Sequence, residues 1–266
     1  MSRFNECFAL YASFQNRHAR FLNADRLRTD GWAGSYAGVM TDPRDPFSNA
    51  QAVARYAEDP PRKVPGFADL QRMANLLLEE HAPEAARILV LGAGGGLELR
   101  AFAMAHSGWR FDGIDPAGEM LKLAEQTLGP LAVQVILQEG YIHQASEGPF
   151  DGGTCLLTLH FLSDDERRQT LAQVHRRLKR GAPFVVAHMS FPQGKGERAQ
   201  WLSRYAAFAV SSGLEPDKAK SAAVAVDKHL NILTPEQDEA MLREAGFSEV
   251  SLFYAGFAFR GWVAYA

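Results

Sequence analysis

The feature that most constrains the fold of this chain is a short apolar run that ends in a cluster of glycines. Residues 87–98 read Arg-Ile-Leu-Val-Leu-Gly-Ala-Gly-Gly-Gly-Leu-Glu. The apolar run predicts a strand buried on both faces, as in a parallel sheet covered by helices. The glycines permit a sharp turn and leave no Cβ between the backbone and a ligand. A helix beginning near Leu97 would point free N–H groups at an anionic group, so the segment predicts a cofactor site.

The spacing of the glycines indicates which cofactor this site holds. They follow the pattern Gly92-x-Gly94-x-Gly96, whereas the dinucleotide fingerprint would need a small residue at Leu97. The next predicted strand ends in Asp115, about 20 residues further on, where a carboxylate can hold both hydroxyls of a ribose. The arrangement resembles the S-adenosylmethionine (SAM) site of class I methyltransferases. A nicotinamide-dependent enzyme is the weaker alternative.

Composition excludes several classes of protein. The 266 residues, of which 47% are hydrophobic, suffice for one large core. A formal net charge of -3 gives no surplus of basic residues, so we expect no autonomous nucleic-acid binding. Two cysteines are too few for a disulfide framework, and Cys155 lies in an apolar run that predicts burial. Without a long apolar stretch or a signal sequence, we expect a cytoplasmic protein with no membrane contact, and a homodimer stays open.

The pattern along the chain predicts three regions and one insertion. We expect an N-terminal extension at 1–39, a helical lid at 40–86, a SAM-binding domain at 87–266, and a helical insertion at about 197–230. Met40 is an alternative natural start, which would place the extension outside the native domain.

The lid is predicted from two helical patterns within residues 47–80. Prolines between Asp59 and Phe67 predict that the two helices are separated, because proline disrupts a helix interior. Tyr56, Arg62 and Phe67 are the candidate ligand contacts of this region, and ordinary packing is an equally good interpretation of Tyr56 and Phe67.

The remaining chain continues the alternation of strands and helices. A helix and a strand after Asp115 predict a doubly wound α/β sheet, and a closing hairpin is predicted from Val250 to Tyr265. The loop 138–143 stands where many class I methyltransferases bracket the adenine. A further strand carries Thr158 and His160 to the carboxyl edge of the sheet, where open α/β sheets bind ligands.

Several short motifs extend the resemblance from about residue 47 to the end. They are Val64-Pro-Gly-Phe67, Thr158-Leu-His-Phe-Leu162 with Asp165-Glu-Arg167, and Glu244-Ala-Gly-Phe247 with Phe257-Ala-Phe259. These stretches resemble class I SAM-dependent methyltransferases and, more narrowly, the bacterial carboxy-SAM synthases of tRNA wobble-uridine modification. The resemblance implies a Rossmann-like, mixed seven-stranded sheet whose last strand is antiparallel. It also aligns Arg62 with an arginine of the synthase lid.

The candidate site follows from the glycine loop and from this resemblance. The expected cofactor contacts are Gly92, Ala93, Gly94, Gly96, Asp115, Pro116, Met120, Gly140, Tyr141, Ile142, Leu157 and Thr158, together with Tyr56 and Arg62 of the lid. His160 is the candidate catalytic base, needed only if the acceptor must lose a proton. The alternative role for His160 is to orient its loop. No His or Cys cluster has metal-ligand spacing.

Three departures from the synthase pattern determine how the functional hypotheses are ranked. Val90 stands where an acid usually precedes the loop glycines, and His160 stands where the synthase has a glutamine. The region from Lys218 to Leu230 contains lysines but lacks the arginine that holds the extra carboxylate. Methyl transfer from SAM to a small-molecule acceptor is therefore the first hypothesis. Carboxy-SAM synthesis is the second, and a catalytically silent SAM-binding module is the third.

Overall fold

The computed structural model describes residues 58–266 of the chain. Seven strands form its sheet: β1 (Arg87–Leu91), β2 (Arg110–Asp115), β3 (Val135–Glu139), β4 (Gly152–Leu156), β5 (Pro183–Met189), β6 (Ser248–Gly256) and β7 (Phe259–Tyr265). The α-helices of this part are α1 (Asp59–Lys63), α2 (Phe67–Glu79), α3 (Leu97–Ala105), α4 (Gly118–Leu128), α5 (Asp164–Arg177), α6 (Glu197–Ser211), α7 (Pro216–His229) and α8 (Pro235–Glu244).

The strand order is that of a doubly wound sheet. The strands run β3-β2-β1-β4-β5-β7-β6, and the first five are parallel to one another. β7 runs antiparallel to both β5 and β6. Chain order reverses between β1 and β4, and ligands of such sheets bind outside the carboxyl ends of the strands at that point. The expected mixed seven-stranded sheet with an antiparallel last strand is confirmed, as is the closing hairpin.

Helices cover both faces of the sheet. Strands β4 and β5 are buried along their whole lengths, as expected for strands covered by helices on both faces. One core cluster lies under α2 and α3, and a second lies under α5 and α8. Cys155 is fully buried in the second cluster. Of the helices within residues 58–266, none is long and apolar enough to cross a membrane.

The proline-rich segment folds differently from the prediction. Asp59–Lys63 is itself a short helix, so the expectation of a non-helical break from Asp59 to Phe67 is wrong. Pro60 and Pro61 occupy its first turn, where a backbone N–H has no partner within the helix and its loss costs little. The chain leaves the helix only at Val64, whose backbone is extended.

The part of the predicted lid that the structure describes, residues 58–86, includes α2. Leu70, Ala74 and Leu78 bury one face of α2 in the core beneath the sheet, so α2 is an integral part of the domain. Residues 40–57 lie outside the described residues, and the lid remains a prediction for them. The helical insertion is observed as α6 and α7, which pack on each other while α6 also contacts α1.

Candidate cofactor site

The glycine loop connects β1 to α3 at the carboxyl edge of the sheet. The backbone N–H groups of Gly92 and Ala93 donate to the carbonyl of Ile114 at 2.9 and 3.1 Å, which ties the loop to the end of β2. Gly92, Gly94 and Gly96 have φ angles of 76°, 48° and 78°, a region that L side chains rarely adopt. The alternating glycines of the sequence therefore correspond to three left-handed residues in one tight turn.

Two of the glycines also permit close packing. A Cβ on Gly92 would collide with the side chain of Thr158, and one on Gly96 would lie 2.8 Å from the Cα of Ala124. Thr158 was expected to contact the cofactor, but its side chain packs against the first glycine and donates to the Leu156 carbonyl at 3.1 Å. In this structure Thr158 supports the loop from beneath.

Asp115 joins the glycine loop to the end of β2. Its two carboxylate oxygens accept hydrogen bonds from the backbone N–H groups of Gly94 and Ala117, each at 2.9 Å. Burial raises the pKa of Asp115 to about 6, although both hydrogen bonds oppose this shift. Each oxygen keeps a lone pair for a further donor, which is what two adjacent ribose hydroxyls would supply.

A second buried carboxyl group, that of Glu98, lies on the first turn of α3. The Thr154 hydroxyl donates to Glu98 Oε1 at 2.7 Å, and both residues are buried. Burial raises the pKa of Glu98 to about 8, and the bond from Thr154 only partly offsets this. Within residues 58–266, neither Glu98 nor Asp115 forms an ion pair.

A cleft that is open to solvent lies beside the glycine loop. It is lined by Pro60, Phe67, Gln71, Gly92, Ala93, Gly94, Gly95, Leu97, Glu98, Leu156 and Leu157. The loop, the first turn of α3 and the end of β4 thus form one wall, and α1 and α2 form the other. Gly92, Ala93, Gly94 and Leu157 are the predicted cofactor contacts that this cleft brings together.

Leu157 has an unusual backbone at the end of β4. Its φ angle is 60°, in a region where a non-glycine side chain is strained. A hydrogen bond from its N–H to the carbonyl of Ala187 at 2.6 Å holds this conformation against β5. The strain turns the chain out of the sheet at the cleft wall.

The loop after β3 lies next to Asp115, as the resemblance implied. The Gly140 N–H donates to the Asp115 carbonyl at 3.0 Å, and the Tyr141 N–H donates to the Gln144 side chain at 2.9 Å. Burial, with smaller contributions from Glu166 and Asp115, raises the pKa of Tyr141 to about 12. The phenol therefore stays neutral and can serve only as a neutral hydrogen-bonding group.

Three further predicted contacts differ in how accessible they are. Pro116 follows Asp115 and is half-buried. Met120 lies in the first turn of α4 and is 3% exposed, and Ile142 is 6% exposed. The structure places all three around the ends of β2 and β3, and their contact with a cofactor stays a prediction.

His160 lies in the 3-10 turn Leu159–Phe161 and is 2% exposed. Its Nδ1 accepts a hydrogen bond from the Met189 N–H at 3.1 Å, so in the neutral ring the proton is on Nε2. Burial, followed by His188 and Arg167, holds the pKa of His160 well below its usual value. Since its one basic nitrogen is already occupied, this geometry favours the orienting role over that of a catalytic base.

Of the lid contacts predicted from sequence, Phe67 lines the cleft and Arg62 does not. Arg62 is exposed on α1, with its guanidinium 3.8 Å from the Glu58 carboxylate, and the wall of the cleft is formed there by Pro60. Arg62 is therefore not among the residues that line the cleft, and its contact with the cofactor stays a prediction. Tyr56 lies outside the described residues.

Sequence reasoning missed Glu98, although a signal for it was present. With a helix beginning at Leu97, Glu98 lies one turn before Phe102 and therefore on the same buried face. An acid at an apolar helical position beside a cofactor loop is a functional candidate. Gln71 had no comparable signal, because its approach to the cleft depends on how α2 packs.

The comparisons with known proteins agree with this geometry. The model of a family described as "Methyltransferase domain" matches residues 88–181. The carboxy-S-adenosyl-L-methionine synthase of Chromohalobacter salexigens is 26% identical over 90% of this chain and 93% of its own length.

Solved structures of methyltransferases share the fold. A putative O-methyltransferase from Nostoc punctiforme superposes with a TM-score of 0.59 at 18% identity, over 97% of this chain and 72% of that one. Human N-acetylserotonin methyltransferase, solved in complex with SAM, gives a TM-score of 0.53 at 16% identity over 82% of this chain and 57% of its own. Residues 88–181 thus match the model of a methyltransferase domain, and the chain is similar along most of its length to carboxy-SAM synthases.

Proposed function

We propose that SAM binds in the cleft beside the glycine loop and that its methyl group is transferred to a small-molecule acceptor. The observation that carries this proposal is the Asp115 carboxylate, which is bonded to the backbone N–H of Gly94 at 2.9 Å. It joins the end of β2 to the loop after β1, and a nucleoside would meet both there. A buried carboxylate could be hydrogen-bonded in many surroundings. Its position beside the three left-handed glycines is therefore better explained by a ligand than by hydrogen bonding alone.

The residues present fit the parts of SAM. Asp115 suits the ribose hydroxyls, the left-handed loop from Gly92 to Gly96 lets backbone approach the ligand, and the loop at Gly140 lies beside Asp115 to meet the base. When bound, SAM would supply a methyl group already activated by its sulfonium. The residues of the chain then need to hold the acceptor in line and exclude water, which supplies most of the rate enhancement.

The acceptor side of the cleft is proposed to lie toward the insertion. α6 contacts α1, whose Pro60 lines the cleft. Trp201 of α6 is contacted by the guanidinium groups of Arg204 and Arg260, at 4.5 and 5.2 Å from the ring centroid. Such a cluster could stack a planar acceptor or pair with an anionic one.

Carboxy-SAM synthesis is the second candidate, and the similarity to a synthase over 90% of the chain favours it. It needs an additional cation for the extra carboxylate. Lys218, Lys220 and Lys228 of α7 are all exposed, and Arg198 of α6 is paired with Asp227 at 2.6 Å. None of these four basic residues lines the cleft, so a carboxylate anchor would have to come from the arginines at Trp201, and methyl transfer ranks first.

Mass spectrometry of ligand released from freshly purified protein tests the assignment without knowledge of the acceptor. We expect SAM or S-adenosylhomocysteine, and carboxy-SAM would reverse the ranking. Gly94→Val, which places a branched side chain at a φ of 48° on the cleft wall, should abolish SAM binding with the fold retained. Normal binding by that variant would mean that SAM lies elsewhere. SAM binding without turnover of any acceptor would favour the silent module.

A further inference from the structure

We propose that Glu98 forms the subsite for the ammonium group of SAM, in the place of the acid that β1 lacks at Val90. This inference rests on the proposed SAM site. It assigns the contact with the ammonium group to a residue on α3. In the class I methyltransferase pattern, an acid on the first strand makes this contact.

Strand register places the Glu98 carboxyl group where an acid at position 90 would reach. Val90 and Thr154 are register partners in the parallel pair of β1 and β4, so their side chains leave the sheet on the same face. The Thr154 hydroxyl donates to Glu98 Oε1 at 2.7 Å. The carboxyl group from α3 therefore lies above the strand position that Val90 occupies with an apolar side chain.

Glu98 also belongs to the lining of the cleft, together with the glycines of the loop and with Gln71 of α2. Thr154 occupies Oε1, and no hydrogen bond within residues 58–266 engages Oε2. An ammonium group in the cleft would find an acceptor oxygen there that is already fixed in place by a buried partner.

The electrostatics point to a cation supplied from outside the protein. The first turn of a helix favours a negative charge, which would keep a carboxylate ionised. Burial nevertheless raises the pKa of Glu98 to about 8, the opposite of what a neighbouring cation produces. A group used only to hold Thr154 could be a neutral amide, whereas an acid can ionise when an ammonium group arrives.

Calorimetric titration with three nucleosides separates the ammonium contact from the rest of the site. SAM carries both sulfonium and ammonium, S-adenosylhomocysteine carries only the ammonium, and 5′-methylthioadenosine carries neither. Glu98→Gln keeps the side-chain shape and an acceptor for Thr154. It should weaken SAM and S-adenosylhomocysteine about 10- to 100-fold, the scale of a charged hydrogen bond, and leave methylthioadenosine within about twofold.

Two further variants control for shape and for general charge. Thr154→Val, which removes only the hydroxyl that holds Glu98 Oε1, should give the same ligand pattern with a few-fold effect. Glu125→Gln removes an exposed charge from α4 and should change none of the three affinities.

The other outcomes of the titration each contradict the assignment. An equal loss for all three ligands would make Glu98 a structural residue, and no loss would remove it from the site. Loss confined to SAM would mean that the carboxylate contacts the sulfonium. If the unmodified protein bound none of the three, the proposed SAM site itself would fail, a result distinct from failure of Glu98 alone.

Discussion

Two regions of this sheet bury carboxyl groups in opposite ways. At the cleft, burial raises the pKa of Asp115 to about 6 and that of Glu98 to about 8. Under the other face, Asp238 lies 2.6 Å from Arg167 Nη1 and 3.0 Å from His188 Nε2. Burial alone would raise the pKa of Asp238, but His188 and then Arg167 outweigh it, and the pKa lies below its usual value.

The contrast indicates what each region is for. Asp238 is paired with the Arg167 guanidinium, a cation that the chain itself provides, and Arg167, 0% exposed, also donates to the Asn231 carbonyl at 2.6 Å. The ion pair of Arg167 and Asp238 thus forms entirely within the protein, and it connects α5 to α8. Glu98 instead lines the cleft, and within residues 58–266 Asp115 is held only by the backbone N–H groups of Gly94 and Ala117. A counter-charge for Glu98 and hydroxyl donors for Asp115 are therefore expected to arrive with the ligand.

The largest expected effect comes from breaking the paired cluster. Asp238→Ala should lower the free energy of unfolding by about 3–5 kcal/mol, because it leaves Arg167 buried without its counter-charge. Denaturant unfolding measures this. Asp227→Ala, which breaks the exposed pair with Arg198, is the matched control and should cost about 0–1 kcal/mol. Equal losses in the two variants would mean that burial of the pair does not matter.

A smaller effect is expected from loss of the Asp115 carboxylate, which is proposed to bind the ribose hydroxyls. Asp115→Ala should weaken SAM binding by about 1.5–3 kcal/mol, since a charged hydrogen-bond partner is lost. It should weaken 5′-methylthioadenosine equally, because that ligand keeps the ribose, and this separates Asp115 from Glu98. Isothermal titration calorimetry measures both values. An unchanged dissociation constant would remove Asp115 from the site.

The two regions should also respond to pH with opposite signs. A carboxyl group whose folded pKa is raised stabilises the fold below its unfolded pKa, and this contribution is lost as pH rises through the folded value. For Glu98 the loss should span the range from about 4.5 to about 8. The free energy of unfolding of Glu98→Gln relative to the unmodified ligand-free protein should therefore increase with pH across that range.

The Asp238 cluster provides the opposite sign for that experiment. The folded-state pKa of Asp238 is lowered, so the Asp238 carboxylate stabilises the fold at pH values above its unfolded pKa. This contribution to stability is lost as pH falls through the folded pKa. Unfolding curves collected across the pH range resolve the two contributions. A difference between Glu98→Gln and the unmodified protein that stays constant with pH would show that Glu98 is already ionised without ligand.

Much of the fold could be predicted because local pattern and tertiary packing agree. The run before Gly92 is apolar at every position and β1 is buried, and Ser163 and Thr234 form the capping boxes that begin α5 and α8. The prediction for the proline-rich segment was wrong because proline disrupts a helix only in its interior and is tolerated in its first turn. Sequence alone did not show that a helix starts at Asp59.

The site was less predictable because contacts across the sheet decide it. The glycine spacing indicated the loop, and Asp115 follows from the end of β2. The proximity of Glu98 to Thr154 depends on the register between β1 and β4, which no local pattern encodes. The occupied Nδ1 of His160 likewise depends on the backbone of β5.

The central claim is that the ligand supplies the counter-charge for the cleft. Proton release on ligand binding tests this claim most directly. With a pKa of about 8, Glu98 is mostly protonated at pH 7 and must ionise to pair with an ammonium group. Titration of S-adenosylhomocysteine in buffers of different ionisation enthalpy measures the protons released. Subtracting the result for Glu98→Gln cancels any contribution from the ligand itself. We predict that the unmodified protein releases close to one proton more than the variant, and equal release by the two proteins would contradict the account.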